Sequence, residues 1–415
     1  MIQTLITFII VFGIIVVVHE YGHLFFAKRA GILVREFSIG MGPKIFAHQA
    51  KDGTFYSVRI LPLGGYVRMA GWGDDTTEIK KGTPASLMLV EDQVVKINLS
   101  DRVNLENSVP MLITEYDFEK ALFIEGEVFG ETRRYPVDHD ATIIEGDGTE
   151  IRIAPLDVQY QSASVIGKIL TNFAGPLNNF ILGIIAFIII TFMQGGVPSN
   201  TNEIGQVQPG TPAYTAGLQA KDKIQAVDGH KTADWNEVAQ RISENEGQTV
   251  TLDIEREGTH KTVEVKPEKV EDRYLIGITR SLKTGFVDKI TGGFTRAIDA
   301  ATLIFKALGN LISQPSFDKL GGPVAIYDLS GQAAREGITS VIALLAMLSI
   351  NLGIVNLIPI PVLDGGKIVL NIIEALRGKP LSQEKEGILT LIGLVFMVLL
   401  MIAVTWNDIL RAFIR

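Results

Sequence analysis

The chain has 415 residues, 47% of them hydrophobic and 20% charged, with a formal net charge of −8 and a mean hydropathy of +0.27. That is too apolar for an ordinary soluble protein and too charged to lie wholly in lipid, so membrane helices joined to soluble modules are expected. The acidic balance gives no support to nucleic-acid binding, and the lack of any cysteine excludes disulfides, thiolate catalysis and Cys-based zinc or iron–sulfur sites.

The chain opens with an uncharged apolar stretch, after which His19, Glu20 and His23 appear in IIVVVHEYGHLFFAKR (residues 14–29) without a break in the apolar pattern. Residues 1–29 read as a retained membrane helix rather than a cleaved signal peptide. The stretch has no basic leader, its apolar run is long, and no small-residue cleavage site follows. Ionisable groups inside such a helix are costly and rare, so these three need a reason. Residues i and i+4 share a helix face, which lets His19 and His23 offer two imidazoles to one ion. Glu20 stands beside them, able to take a proton from a water, and HExxH on a helix is a zinc metalloprotease pattern. The competing reading is a polar helix contact with Glu20 paired to Lys28. Three ionisable groups in an apolar span argue against it.

Residues 30–72 follow as a β region: Tyr56, Val58 and Ile60 alternate, and Pro62 and Gly64-Gly65 break the run, as in a β-hairpin. Residues 73–168 form an acidic, β-rich insert with short runs such as QVVKINL and ATIIEG. A second apolar span covers 169–196. In the module at 197–282, the order Gly-Thr-Pro-Ala, Ala-Gly-Leu, Asp-Lys-Ile, Asp-Gly resembles a PDZ domain of the bacterial protease-associated type. Such domains bind extended peptides by strand addition. Residues 283–320 place Phe294, Ile298, Phe305, Leu308 and Ile312 on one side of a helix suited to lie on a membrane surface.

The third span, 337–364, ends in NLIPIPVLDGG. Its two prolines cannot sit in an unbroken helix, so it should unwind near Pro359. Free backbone at membrane depth is tolerated only inside protein or beside a wet cavity, so this end should face the bundle interior. A cytoplasmic loop, 365–387, leads to a fourth span at 388–407. The expected fold is an α-helical polytopic membrane protein of about four transmembrane helices. It carries a membrane-associated β-hairpin region, a cytoplasmic β-rich insert and an external α+β PDZ domain. Lys28, Arg29, Arg35 and Lys44 after the first span, and Lys367, Arg377, Lys379 and Lys385 before the fourth, put those segments in the cytoplasm. Both termini and the PDZ module are then external, although Arg411 and Arg415 run against that assignment.

A catalytic zinc needs a third protein ligand and an open position. His48, His139, His230 and His260 lie in soluble segments, which leaves Asp364 and Glu374. Asp364 is favoured on depth: a rise of 1.5 Å per residue puts His19 about 27 Å along its helix, near the cytoplasmic face where the broken third span delivers Asp364. Glu374, in NIIEAL, is the rival and would reach the ion from a helix.

HEYGH in the first span, NFAGPLNNF opening the second, the external PDZ-like module and NLGIVNLIPIPVLDGG in the last third together resemble the site-2 protease family. Within it, the bacterial regulator-of-sigma-E-protease-like branch is most similar, and the likeness runs in order along nearly the whole chain. The resemblance implies an intramembrane zinc endopeptidase of the bacterial cytoplasmic (inner) membrane, with Zn2+ held by His19, His23 and Asp364 and with Glu20 as the catalytic glutamate. It implies that the β region with Gly64 and Gly65 offers an edge to substrate, and that Asn351 and Asn356 hold the substrate strand; polar helix packing is the alternative for these asparagines. It also implies partners: single-pass transmembrane proteins already shortened by another protease, such as anti-sigma factors, or remnant signal peptides, with a peptide contact at the PDZ domain. The acidic insert is longer than the family pattern leads one to expect. Two rival readings differ in class. One is a membrane-anchored zinc peptidase that cuts soluble segments using Glu374; the other is a non-enzymatic PDZ-bearing scaffold or metal transporter. Transport is disfavoured because the polar residues of the spans gather at one depth instead of recurring along several helices.

Overall fold

Helix α1 (Ile2–Arg29) shows how the first span is used. Its buried residues, Val11, Ile15, Val16, His19, Gly22, His23, Leu24 and Ala27, recur at three- and four-residue steps and form one stripe. Ile2, Leu5, Ile6, Ile9, Ile10 and Ile14 point away from the protein, as a lipid-facing side would. The histidines therefore belong to the packed stripe and continue the apolar one. The computed structural model describes residues 2–71, 79–146, 148–270, 273–314 and 320–413; the expected start of the insert at 73–78, and Arg415, lie outside them. Two units can be separated, 1–183 with 299–415, and 184–298.

After α1 come two long antiparallel strands, β1 (Val34–Gln49) and β2 (Phe55–Met69). The expected break at Pro62 does not end the strand; the chain changes pairing partner there instead. Residues 34–39 pair with 65–69 along one edge and with 55–58 along the other, and 44–49 pair back onto 55–59. Bending lets two strands make a sheet of four segments. Gly40 sits at the bend with φ +86°, where a Cβ would lie 2.6 Å from the Leu61 carbonyl oxygen, so only glycine fits. Among the described residues no strand pairs with the outer edge of 65–69.

The insert is a closed barrel. Strands β3 (Thr83–Val90), β4 (Gln93–Asn98), β5 (Val109–Asp117), β6 (Phe123–Val128), β7 (Glu131–Ile144) and β8 (Glu150–Arg152) lie in the order β4-β3-β5-β6-β7-β8. A parallel pairing of β4 with β7, Val94 opposite Val137 and Ile97 opposite Ile143, closes the strands from β4 to β7 into a ring, and β8 pairs with the end of β7. Closure removes the open edges of a sheet. Leu87, Val94, Ile97, Ile113, Ile124 and Ile143 fill the interior.

Helix α2 (Val165–Met193) starts the second span. In the unit 184–298, the strands 230–231, 223–227, 250–256 and 259–265 form an antiparallel sheet in that order. Helices α3 (Pro212–Thr215) and α4 (Trp235–Glu244) accompany it. Asp234 caps α4 by accepting from the Glu237 amide. Ile204, Ile224, Val238, Leu252 and Ile254 share one core. Helix α5 (Phe286–Ser313) leaves Phe294, Ile298, Phe305 and Ile312 exposed, the face expected to meet lipid.

Helices α6 (Pro323–Glu336), α7 (Ile338–Asn356), α8 (Asp364–Arg377) and α9 (Gln383–Phe413) complete the chain. The connection expected as a loop at 365–387 thus contains a helix, and Asp364 opens it. Four helices, Ile2–Arg29, Val165–Met193, Ile338–Asn356 and Glu384–Arg411, are long and apolar enough to cross a membrane. Asp408 in the last of these accepts from the Gly322 and Ala325 amides at 2.8 and 3.2 Å and so caps the start of α6.

Helix α1 meets α2 where Gly22 faces Ala174: a Cβ on Gly22 would overlap the Ala174 carbonyl and lie 2.9 Å from Asn178 Nδ2. Small residues at such crossings let helix backbones approach. Gly22→Val is expected to destabilise the protein by about 1–3 kcal/mol through overpacking. Thermal unfolding in detergent checks this, and an unchanged midpoint would show that the helices can separate freely.

Candidate metal centre

The α1 stripe presents His19 and His23 on adjacent turns, and the first residue of α8 presents Asp364. His19 Nε2 and His23 Nε2 are 3.2 Å apart. Asp364 Oδ2 lies 3.3 Å from the first and 3.4 Å from the second. Zinc bonds to nitrogen and oxygen of about 2.0–2.1 Å in a tetrahedron imply ligand-to-ligand distances of about 3.3–3.4 Å. The three atoms stand at three corners of such a figure, and they form the only cluster of its kind among the described residues. Asp364 Oδ2 is buried without a hydrogen-bond partner, since its contacts to the imidazoles are close but not aligned as hydrogen bonds. An orphaned carboxylate oxygen facing two imidazole nitrogens suits a cation.

The tautomers agree. His23 Nδ1 is 2.7 Å from the Thr171 carbonyl oxygen, which can only accept, so Nδ1 carries the proton and Nε2 of the neutral ring keeps its lone pair. His19 Nδ1 is 3.1 Å from the Asn179 side-chain amide. Asn179 Oδ1 is buried without a partner; turning the amide over places that oxygen on His19 Nδ1–H and frees Nε2 in the same way. Helix α2 can come this close because residue 175 is glycine. A Cβ there would overlap His23 Nε2 and lie 2.8 Å from His19 Cε1.

A cavity of about 790 Å³ opens over these groups and is also lined by Glu20, Asn356 and Lys367. Its walls come from Gly65–Met69, an outer strand of the β1–β2 sheet, and from Glu145, Thr149 and Ile151 of the barrel. Gly65 is in close contact with α1: its Cβ position is 3.0 Å from Glu20 Cγ. Behind the edge, Glu36 accepts from Ser57 Oγ at 2.7 Å, Arg59 at 2.8 Å and Tyr66 Oη at 2.9 Å. Burial alone would push the Glu36 carboxyl up, but these three donors outweigh it and hold it below the usual carboxylate range. The edge is thereby tied to a rigid polar node.

The expected residues divide. His19, Glu20, His23, Asp364, Gly65 and Asn356 meet at the cavity. Gly64 and Asn351 are not part of its lining. Asn351 is exposed, because Ile350, Gly353 and Ile354 occupy the buried face of α7 and the next position along turns about 100° away. Glu374, the rival ligand, instead pairs with Lys168 at 2.8 Å, and Lys28 pairs with Asp52 at 2.6 Å. Sequence reasoning missed Thr171, Gly175 and Asn179. The four-residue spacing of Thr171, Gly175 and Asn179 in TNFAGPLNN was the available signal that they share a face.

The model of peptidase family M50 matches residues 7–400. The chain belongs to peptidase family M50, the site-2 proteases. A Lactococcus lactis subsp. lactis (strain IL1403) relative named "Putative zinc metalloprotease LL2128" is 70% identical over 428 positions, covering 100% of both chains. "Probable protease eep" of Enterococcus faecalis (strain ATCC 700802 / V583) is 56% identical over 420 positions, covering 99% of this chain and 100% of its own. This M50 protein is a zinc-dependent metalloendopeptidase and a membrane protein.

Asp364→Ala is expected to remove most of the bound zinc from the purified enzyme, and Gly175→Val to do the same by displacing His23. Metal content per chain reads both; full occupancy in a folded Asp364→Ala protein would exclude this carboxylate as a ligand.

Proposed function

We propose that this M50 enzyme cuts peptide bonds inside the transmembrane segments of single-pass membrane proteins. The observation that carries the reading is the place of the ligand cluster. Two of its three groups lie on a helix long and apolar enough to cross a bilayer, about 26 and 32 Å from its start at 1.5 Å per residue. In this reading His19, His23 and Asp364 hold the zinc. When bound, zinc makes a water nucleophilic at neutral pH and polarises the scissile carbonyl. Glu20 takes the proton of the attacking water and delivers it to the leaving amine.

A membrane-spanning substrate is helical, with its amides occupied, so it must unwind before it can be cut. The outer edge of Gly65–Met69, on which no strand lies among the described residues, can then take it as an added strand, with Asn356 in the same cavity holding its backbone. Suitable substrates are anti-sigma factors already shortened by another protease, and remnant signal peptides. The enzyme would lie in the bacterial cytoplasmic membrane with both termini and the PDZ-like module outside. That module would exclude substrates with bulky external domains. Pairing of Glu374 with Lys168 counts against the rival peptidase reading that needed Glu374 as a ligand.

Glu20→Gln keeps a side chain of the same shape but cannot take a proton. It should retain zinc and the fold while losing cleavage of a single-pass substrate by about 10²-fold or more; wild-type turnover would sink the mechanism. Tags test the orientation. One near residue 240 should be reachable from outside intact cells and one near residue 140 should not, and the reverse pattern overturns the topology.

A further inference from the structure

Asp364 is the one proposed ligand not carried by α1, and the helix that brings it is only partly buried. Of the α8 residues only Gly365, Gly366 and Asn371 are buried, while Val369, Ile372 and Leu376 are exposed. The turn before α8 contains Pro359 and Pro361, so the hydrogen-bond ladder of α7 does not run on into it. The local turn, closed by the Leu363 amide on the Ile360 carbonyl, is short, and contacts further along α8 add to it in setting the position of Asp364. Residues 364, 371 and 374 fall on one side of that helix.

Two contacts tie this side of α8 to α2. The Tyr160 hydroxyl receives the Asn371 amide at 3.0 Å and the Asn172 amide at 2.8 Å. Close by, Lys168 Nζ donates to Glu374 Oε1 at 2.8 Å, with the ammonium 5.7 Å from the centre of the Tyr160 ring. Lys168 is only 2% exposed and Tyr160 7%. A buried ion pair contributes little net stability compared with apolar packing of the same volume, whereas it can fix which partner a helix meets and where. The same helix α2 supplies the Thr171 carbonyl to His23 and the Asn179 amide to His19. One element thus brackets all three ligands.

We infer that the Lys168–Glu374 pair and the Tyr160 hydroxyl are positioning groups for the metal centre, clamping α8 to α2 so that Asp364 Oδ2 meets the two histidine nitrogens. They touch neither ion nor substrate and act through Asp364. The inference rests on the zinc-ligand reading above.

Zinc affinity of the full-length protein in detergent, measured by competition with a chromophoric chelator, tests it. Glu374→Gln, and Tyr160→Phe, which keeps the ring and removes only the shared hydroxyl, should each weaken zinc binding by about 10–100-fold in the folded protein. The charge-swapped pair Lys168→Glu with Glu374→Lys should recover most of that loss. Placed in an Asp364→Ala background, Glu374→Gln should change the affinity no further, because the ligand it positions is gone. A merely structural pair would lower the unfolding temperature and leave the affinity of the folded protein alone. Wild-type affinity in folded Glu374→Gln or Tyr160→Phe, or an equal loss with and without Asp364, overturns the inference. If Asp364→Ala itself binds zinc as wild type does, the ligand assignment has failed instead, and the two failures are told apart.

Discussion

The constraint on which the structure depends is the meeting of two imidazole nitrogens and one carboxylate oxygen, all within 3.4 Å of one another, among apolar helices. Burying an unpaired carboxylate is costly, and an orphaned Asp364 Oδ2 facing two lone pairs is worse without a cation between them. A divalent ion reverses the sign of this crowding, because metal binding and folding draw on the same free energy. The apolar surroundings then strengthen each electrostatic contact at the site.

Helix α2 meets this constraint mostly with backbone and small groups. Thr171 contributes only its carbonyl to His23, and Gly175 contributes only its missing side chain. At Gly22, α1 makes the matching concession to the Ala174 carbonyl. The helices pass so closely that one added methyl on either side would have to move a histidine or a backbone. The site is therefore intolerant of substitutions that look conservative in sequence.

The β parts serve the same centre. The bent β1–β2 sheet brings its outer edge to Glu20, and a buried carboxylate, Glu36, holds three donors behind that edge. The barrel lends Glu145, Thr149 and Ile151 to the cavity wall, so the insert is part of the site's enclosure.

The sequence by itself determined the chemistry. Spacing on one helix pairs His19 with His23, apolar context makes their presence meaningful, and the Pro359–Pro361 break marks where a carboxylate can turn inward. Four spans were likewise legible, because hydropathy is a local property. Only the tertiary structure decided which carboxylate completes the cluster, since Asp364 and Glu374 lie on one helix and the choice depends on what each meets: the histidines for one, Lys168 for the other. It decided that the helix holding Glu374 begins at Asp364 itself, that β2 runs through Pro62 by changing partners, and that Asn351 turns away from the cavity while Asn356 reaches it. These outcomes rest on pairings between segments distant in the chain. Local pattern carries no information about which distant surface will be opposite.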